Sequence, residues 1–235
     1  MYRDPRMVPS QLGVRPAAQL SAGFLSQAFL WMFAGLGVTA VVAWLVGSNA
    51  ALVQGAASLF LPVIIGQFVL VMVISAGINR MSATIALLLF FVYSATMGIT
   101  LSLILLAYGY GAAVSAFVTA SVMFGGAAAY GAVTGRSLAN IGGYLFMGLL
   151  GIIAASFLNL FIFKSAGVDL GISFLGVLIF VALTAWNVQK IKNGDYAAIT
   201  GSMEKGAVIA ALALYLDFIN LFLFLLRIFG GGNRR

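Results

Sequence analysis

The chain has 235 residues, of which 63% are hydrophobic and 7% charged, whereas soluble domains have about 45 to 50% apolar and about 25% charged residues. This composition, with a mean hydropathy of +1.13, excludes a water-soluble globular protein, because so few charges cannot cover its surface. Cys and His are both absent, so thiolate nucleophiles, imidazole bases and the usual zinc, haem and iron–sulfur ligands are excluded. The net charge of +7 comes from single basic residues between apolar runs, which indicates membrane topology and not nucleic-acid binding.

Seven apolar runs are long enough to cross a membrane, which takes about 20 helical residues for about 30 Å of hydrocarbon. Because the links between them are short, we predict an all-α membrane protein with one seven-helix bundle. A polar basic tail (1–28) precedes the transmembrane domain (29–229), and a short basic tail (230–235) follows it. The predicted spans are 29–47, 57–78, 83–107, 111–133, 141–162, 170–189 and 207–229.

The basic residues indicate the orientation of these spans. Lys164 stands alone on one side of the predicted bundle, and the links on the other side contain Arg80, Arg136, Lys190, Lys192 and Lys205. The positive-inside rule therefore places those links and the N-terminus in the cytoplasm. Three arginines near the C-terminus disagree with seven full crossings, so a re-entrant last segment that returns the C-terminus to the cytoplasm stays open.

Asp217 is the first candidate for a functional residue, because it alone of the five acidic residues falls inside an apolar run. A charged carboxyl there costs about 2.5 to 3.5 kcal/mol on insertion scales, so it should face the bundle interior, where it can sense protons. The alternative is a packing residue that ties two helices. Asn220 and Arg227 follow on the same helix face, but Arg227 lies about 15 Å farther along the axis, too far for an ion pair.

Further polar residues are weaker candidates. Gln67 and Thr100 lie deep in the second and third runs, and Asn187 lies near the end of the sixth. Helix-to-helix hydrogen bonding or capping is the simpler interpretation, and the lining of a hydrophilic pathway is the alternative. Arg80 lies in a polar turn, where a charge usually sets topology, although an arginine paired with a buried acid would look the same.

Enzymatic chemistry is not expected. A retinal Schiff base needs a lysine inside the last helix, whereas Lys205 precedes it. An intramembrane serine protease needs a base for its serine, and the chain has no histidine. An intramembrane aspartyl protease needs two acids inside the membrane, whereas only Asp217 falls inside an apolar run. We accordingly expect no cofactor.

The last run carries a specific resemblance. It reads LYLDFINLF at 214–222 and LLR at 225–227, which closely resembles the signature of the Bax inhibitor-1 family, also called the YccA-like or transmembrane Bax inhibitor motif family. Supporting matches are SAGINRMS at 75–82, YSATMGIT at 93–100 and QKIK at 189–192. The resemblance covers about residues 20–232, and the short loops indicate a bacterial, inner-membrane member.

The resemblance implies a bundle with the last helix central, acting as a pH-sensitive calcium leak in which two acids on the sixth and seventh helices share a proton. Asp217 matches the second acid, and Asn187 stands at the first, in WNVQ at 186–189. Arg80 matches an arginine that engages the pair, and Gln67 matches a Glu or Gln. With one carboxylate fewer, Asp217 forms at most a weak calcium site.

The missing acid changes the expected gating. An amide at Asn187 can still donate to the Asp217 carboxylate, so a closed state can persist where two acids would repel each other. The predicted spans do not by themselves bring the two residues together, because Asn187 lies at a boundary and Asp217 about ten residues into its helix.

Two further classes of function remain. The resemblance also implies a modulator of a membrane protease of the FtsH type, or of a stress pathway, with residues 1–20 as the docking element. A proton-coupled transporter needs only one buried acid, but no inverted repeat is visible in the seven runs.

Overall fold

The computed structural model describes residues 17–231, with side chains from residue 22 onward. All regular structure in this part of the chain is helical, and seven helices are long and apolar enough to cross a membrane. The predicted all-α membrane fold with seven spans is therefore confirmed. Some predicted segments lie outside the described residues. They are the first part of the basic tail (1–28), which holds most of the docking element (1–20), and residues 232–235 of the C-terminal tail.

The described helices are numbered in chain order. Asn49 caps α2 by accepting hydrogen bonds from the backbone N–H groups of Ala51 and Leu52, and the hydroxyls of Ser82 and Ser165 cap α4 and α7. The bounds are α1 Ala17–Gly47, α2 Ala50–Ser58, α3 Phe60–Gly77, α4 Ala83–Tyr108, α5 Tyr110–Val133, α6 Gly142–Leu158, α7 Ala166–Asn193, α8 Asp195–Thr200 and α9 Met203–Gly231.

Several boundaries differ from the predicted spans. α1 begins at Ala17, within the predicted tail, and the short helix α2 precedes the second span. α7 continues to Asn193, and α8 occupies the link before α9. α9 is one uninterrupted helix of 29 residues, which is about 43 Å long, so the last segment does not form the re-entrant turn that the C-terminal arginines left open.

α9 lies at the centre of the bundle. It packs against α1, α4, α5, α7 and α8, and 67% of its most apolar stretch is buried, against 44% or less in the other six spans. Tyr215, Leu214 and Leu221 of this helix are fully buried. α6 is at the periphery, packed mainly on α7. The central last helix implied by the family resemblance is therefore present.

Hydrogen bonds between the links identify the two ends of the bundle. Gln189 accepts from the backbone N–H of Leu138 and donates to the carbonyl of Arg136, and the Lys205 ammonium donates to the carbonyl of Asn79 over 3.5 Å. We call this the basic end; its cations are Arg80, Arg136, Lys190, Lys192 and Lys205. Lys164, Asp169 and Arg227 lie at the opposite end.

Candidate functional site around Asp217

Asp217 is buried where α9 faces α7. Its side chain is 4% exposed and that of Asn187 is 5% exposed. The Asn187 amide Nδ2 donates a hydrogen bond of 2.7 Å to Asp217 Oδ2. The structure thus brings together the two residues that the family resemblance pairs, with an amide in place of one acid.

The register of α9 explains why the predicted spans did not place these residues side by side. Asn187 lies six residues before the end of α7, whereas Asp217 lies fourteen residues after the start of α9. The first two turns or so of α9 therefore extend past the end of α7. α8 packs beside them, and Gly206 allows this, because a Cβ there would lie 2.8 Å from the Ala197 Cα.

Tyr196 completes a chain of hydrogen bonds. Its hydroxyl donates to Asn187 Oδ1 over 2.6 Å, and its side chain is buried in α8, outside the spanning helices. Burial, together with the negative charges of Asp217 and Asp195, raises the pKa of the Tyr196 hydroxyl. The hydroxyl therefore keeps its proton, and the chain runs with every donor directed toward Asp217.

Two glycines define the ends of α8. Gly194 has φ 79° and Gly201 has φ 64°, backbone conformations that are strained for other residues. The Lys190 ammonium lies 4.4 Å from the centre of the Trp186 ring and 4.7 Å from that of Tyr196. α8 is thus a short segment between two sharp turns, anchored by its tyrosine.

Sequence reasoning missed Tyr196. The residue falls in a link of mixed polarity, where a loop was the simplest interpretation. The available signal was a large aromatic residue in a six-residue segment between Gly194 and Gly201, since glycines commonly end helices.

Arg80 does not join this site. It lies exposed in a 3-10 turn, Ile78–Arg80, after α3. Among the described residues it forms no hydrogen bond or ion pair with Asp217. The contact with an acid that the resemblance implies is therefore not made in this structure.

The secondary polar residues lie in separate places. Gln67 Nε2 donates to Thr100 Oγ1 over 2.8 Å, which ties α3 to α4 with both side chains buried. Asn220 Nδ2 donates to the carbonyl of Leu216 in its own helix over 2.8 Å. No hydrogen bond between described side chains connects either residue to Asp217; Gln67 joins two helices, and Asn220 is bonded within its own helix.

A second polar cluster, on the other side of α9, ties three helices. The Tyr215 hydroxyl lies 2.6 Å from Thr39 Oγ1, and Thr39 also lies 2.8 Å from the carbonyl oxygen of Ser94. The rings of Phe90 and Tyr93 pack edge-on against Tyr215. Sequence reasoning missed the contact of Thr39 with Tyr215, because hydroxyl partners on separate helices leave no spacing signal.

A cavity of about 250 Å³ lies between α1, α4, α5 and α9. Gly47 and Tyr110 line it, so it belongs to the end of the bundle opposite the basic end. Thr39 and Phe218 line its deeper part, and Phe218 directly follows Asp217 in α9. The cavity therefore approaches the level of Asp217 from that end.

Arg227 does not reach Asp217, as the spacing predicts. Its guanidinium forms an ion pair with Asp169 of α7 at 3.1 Å, with both side chains partly exposed. Sequence reasoning missed this partner, 58 residues away.

No group of three or more possible metal-binding side chains occurs in residues 17–231. The Asn187 amide turns its nitrogen to Asp217 and its oxygen to Tyr196, so this pair offers calcium one carboxylate, which is a weak donor set.

Comparison with known proteins identifies the family. The model of the family described as "Inhibitor of apoptosis-promoting Bax1" matches residues 21–234. The chain is 42% identical to inner membrane protein YbhL of Escherichia coli strain K12, over 100% of both chains. It is 41% identical to an uncharacterized protein of Deinococcus radiodurans over 90% of each chain. It is also 42% identical to the uncharacterized protein YrjE of Lactococcus lactis, over 90% of this chain and 92% of the relative. A buried site on a central last helix and these matches lead to one conclusion: the chain belongs to the Bax inhibitor family of membrane proteins.

Proposed function

We propose that this protein is a pH-sensitive calcium leak of the bacterial inner membrane, in which the hydrogen bond between Asn187 and Asp217 holds the closed state. The buried 2.7 Å contact between these side chains is the observation that carries the proposal. The protein conducts ions and catalyses no reaction. Its basic end faces the cytoplasm, in accord with the positive-inside rule.

Protonation of Asp217 is the gating step. The carboxylate accepts a charge-assisted hydrogen bond from Asn187, and such bonds are roughly twice as strong as neutral ones. A proton on Asp217 removes the charge and weakens the attachment of α9 to α7. Asn187, which donates to this carboxyl, itself accepts a hydrogen bond from the hydroxyl of Tyr196. The closed state is therefore weakest at low pH, and calcium flux rises as pH falls.

The ion path runs beside α9. The cavity at the opposite end, lined by Thr39 and Phe218, supplies its outer part, and the buried pair closes its inner part. A calcium ion at this level meets one carboxylate, that of Asp217, and a single carboxylate is a site weak enough for the ion to leave again.

Calcium flux into proteoliposomes tests the proposal. The purified protein is scanned from pH 5 to 8 beside protein-free vesicles and the Asp217→Asn variant. We expect flux that rises toward low pH in the wild type, and flux without that pH dependence in Asp217→Asn, because the amide pair does not titrate. Glu204→Gln is the matched control, since it also changes an acid to an amide in α9 but at an exposed position, and it should retain the wild-type profile.

Two results would contradict the proposal. Flux in Asp217→Asn that matches the wild type at every pH would remove Asp217 from gating. Absence of calcium flux at any pH would remove the leak itself, and a role through protein contacts, such as modulation of a membrane protease, would then take its place.

A further inference from the structure

We infer that Tyr196 is a positioning residue for the gate and that α8 is the lid over the basic end of the ion path, coupled to Asp217 through the Asn187 amide. The inference rests on the proposed function, because it assigns the element that moves when the pair of Asn187 and Asp217 separates. α8 is the segment of the chain between α7, which carries Asn187, and α9, which carries Asp217.

The hydrogen-bond geometry carries the coupling. One amide group is bound at both ends, its oxygen by Tyr196 at 2.6 Å and its nitrogen by Asp217 at 2.7 Å. The amide cannot turn to offer its oxygen to Asp217 without losing the bond from the tyrosine hydroxyl. The position of α8 and the state of Asp217 are therefore linked through one side chain.

The backbone around α8 allows it to move as a unit. α8 has six residues, and both of its ends are glycines in the left-handed conformation, Gly194 and Gly201. Hinge segments absorb changes of φ and ψ at a few such positions. Among the described helices, α8 packs against α7 and α9, so Tyr196 and the contact of Ala197 with Gly206 hold it in place.

The position of α8 suits a lid. It packs against α9, and less extensively against α7, and its tyrosine is bonded to Asn187. The side chains of Asn187 and Asp217 are buried, and Tyr196 itself is 8% exposed. Displacement of Tyr196 opens access to this pair for water and cations, while Lys190, which lies over its ring, can follow α8 outward.

Tyr196→Phe tests the inference, because it removes the hydroxyl and keeps the ring that packs against Lys190. Loss of one neutral hydrogen bond shifts a closed-to-open equilibrium by about 2- to 10-fold, so we expect flux at pH 7 to 8 to rise by that factor. Ser173→Ala is the control. It removes another buried hydroxyl, one bonded to the backbone carbonyl of Asp169 near the other end of α7, and should leave the flux at wild-type level.

A spin label on α8 gives a readout independent of flux. The chain contains no cysteine, so Ile199→Cys, at a position 63% exposed, provides a unique site for the label. We expect the label to be more mobile with Tyr196→Phe than with native Tyr196, and its mobility to be unchanged with Ser173→Ala. In the Asp217→Asn background, Tyr196→Phe should raise flux less than in the wild type, because both act through Asn187.

The outcomes separate this inference from the proposed function. If Tyr196→Phe leaves both flux and label mobility at wild-type values while Asp217→Asn abolishes the pH dependence, the lid is wrong and the gate at Asp217 stands. If label mobility rises with Tyr196→Phe but neither variant changes flux, α8 moves without controlling a leak, and both assignments are overturned.

Discussion

Tyr196 and Asp217 bind opposite ends of the same amide group, that of Asn187, at 2.6 Å and 2.7 Å. These buried hydrogen bonds join three helices. Tyr196 lies in α8, Asn187 in α7, which is the sixth spanning helix, and Asp217 in α9, which is the central last helix. An ionised Asp217 can only accept, so the amide turns its nitrogen to Asp217 and its oxygen to the Tyr196 hydroxyl.

Asn187→Asp should invert the pH response. Two carboxyl groups at hydrogen-bond distance share a proton when one is protonated and repel each other when both are ionised. The variant is therefore closed at lower pH and opens as pH rises, with its midpoint at higher pH than that of the wild type. Calcium flux in proteoliposomes measures this. A profile that superimposes on the wild type would refute gating by the pair of Asn187 and Asp217.

Gln67 and Thr100 should matter for stability and not for gating. Their bond links α3 to α4 and has no connection to Asp217 among the described side chains. Gln67→Leu should lower the free energy of unfolding by about 0.6 to 1.7 kcal/mol, the range of interhelical hydrogen bonds in membranes. Titration with a denaturing detergent measures this, and the double variant with Thr100→Val should lose less than the sum, since no partner is left unsatisfied. A changed pH profile of flux in the single variant would place Gln67 in the pathway.

Gly131→Ala should destabilise the bundle. A Cβ at Gly131 would collide with the backbone carbonyl of Ala185, where α5 packs against α7. Backbone cannot move aside as a side chain can, so we expect a loss of roughly 1 to 3 kcal/mol. Gly125→Ala on the same helix is the control, because a Cβ there meets nothing within 4 Å. Equal unfolding transitions for the two variants would show that the close approach of α5 and α7 is wrong.

Arg227→Gln should have a small, salt-dependent effect. The side chains of Arg227 and Asp169 are 35% and 41% exposed, and solvent-exposed ion pairs contribute less than about 1 kcal/mol. The loss of stability should be measurable at low salt and disappear near 1 M salt, where the screening length is about 3 Å. Arg80→Gln serves for comparison, since Arg80 has no ion pair among the described residues. A loss that persists at high salt would indicate a buried role for Arg227.

The seven spans and the interior position of Asp217 could be predicted because lipid imposes length and polarity rules on each helix separately. The partner of Asp217 could not be derived in that way. Hydropathy finds where a helix can lie in the bilayer, but the register between α7 and α9 depends on how α8 packs between them. Asn187 was paired with Asp217 only through the family resemblance.

Tyr196 and Thr39 show a second limit. Each acts through a hydroxyl whose partner lies on another element, with Thr39 176 residues from Tyr215. Only the packed bundle decides which polar side chains meet. Arg80 shows the converse, because its position in the motif matches the family while its side chain lies exposed and away from Asp217.

Exchange of the pair is the most direct test of gating by the hydrogen bond itself. The double variant Asn187→Asp with Asp217→Asn moves the carboxylate to α7 and the amide to α9, so that one titrating acid still faces one amide. Calcium flux is measured from pH 5 to 8 beside Asp217→Asn alone. We predict that the exchanged pair regains flux that rises as pH falls, while Asp217→Asn lacks the pH dependence. An exchanged pair that behaves like Asp217→Asn would contradict the account.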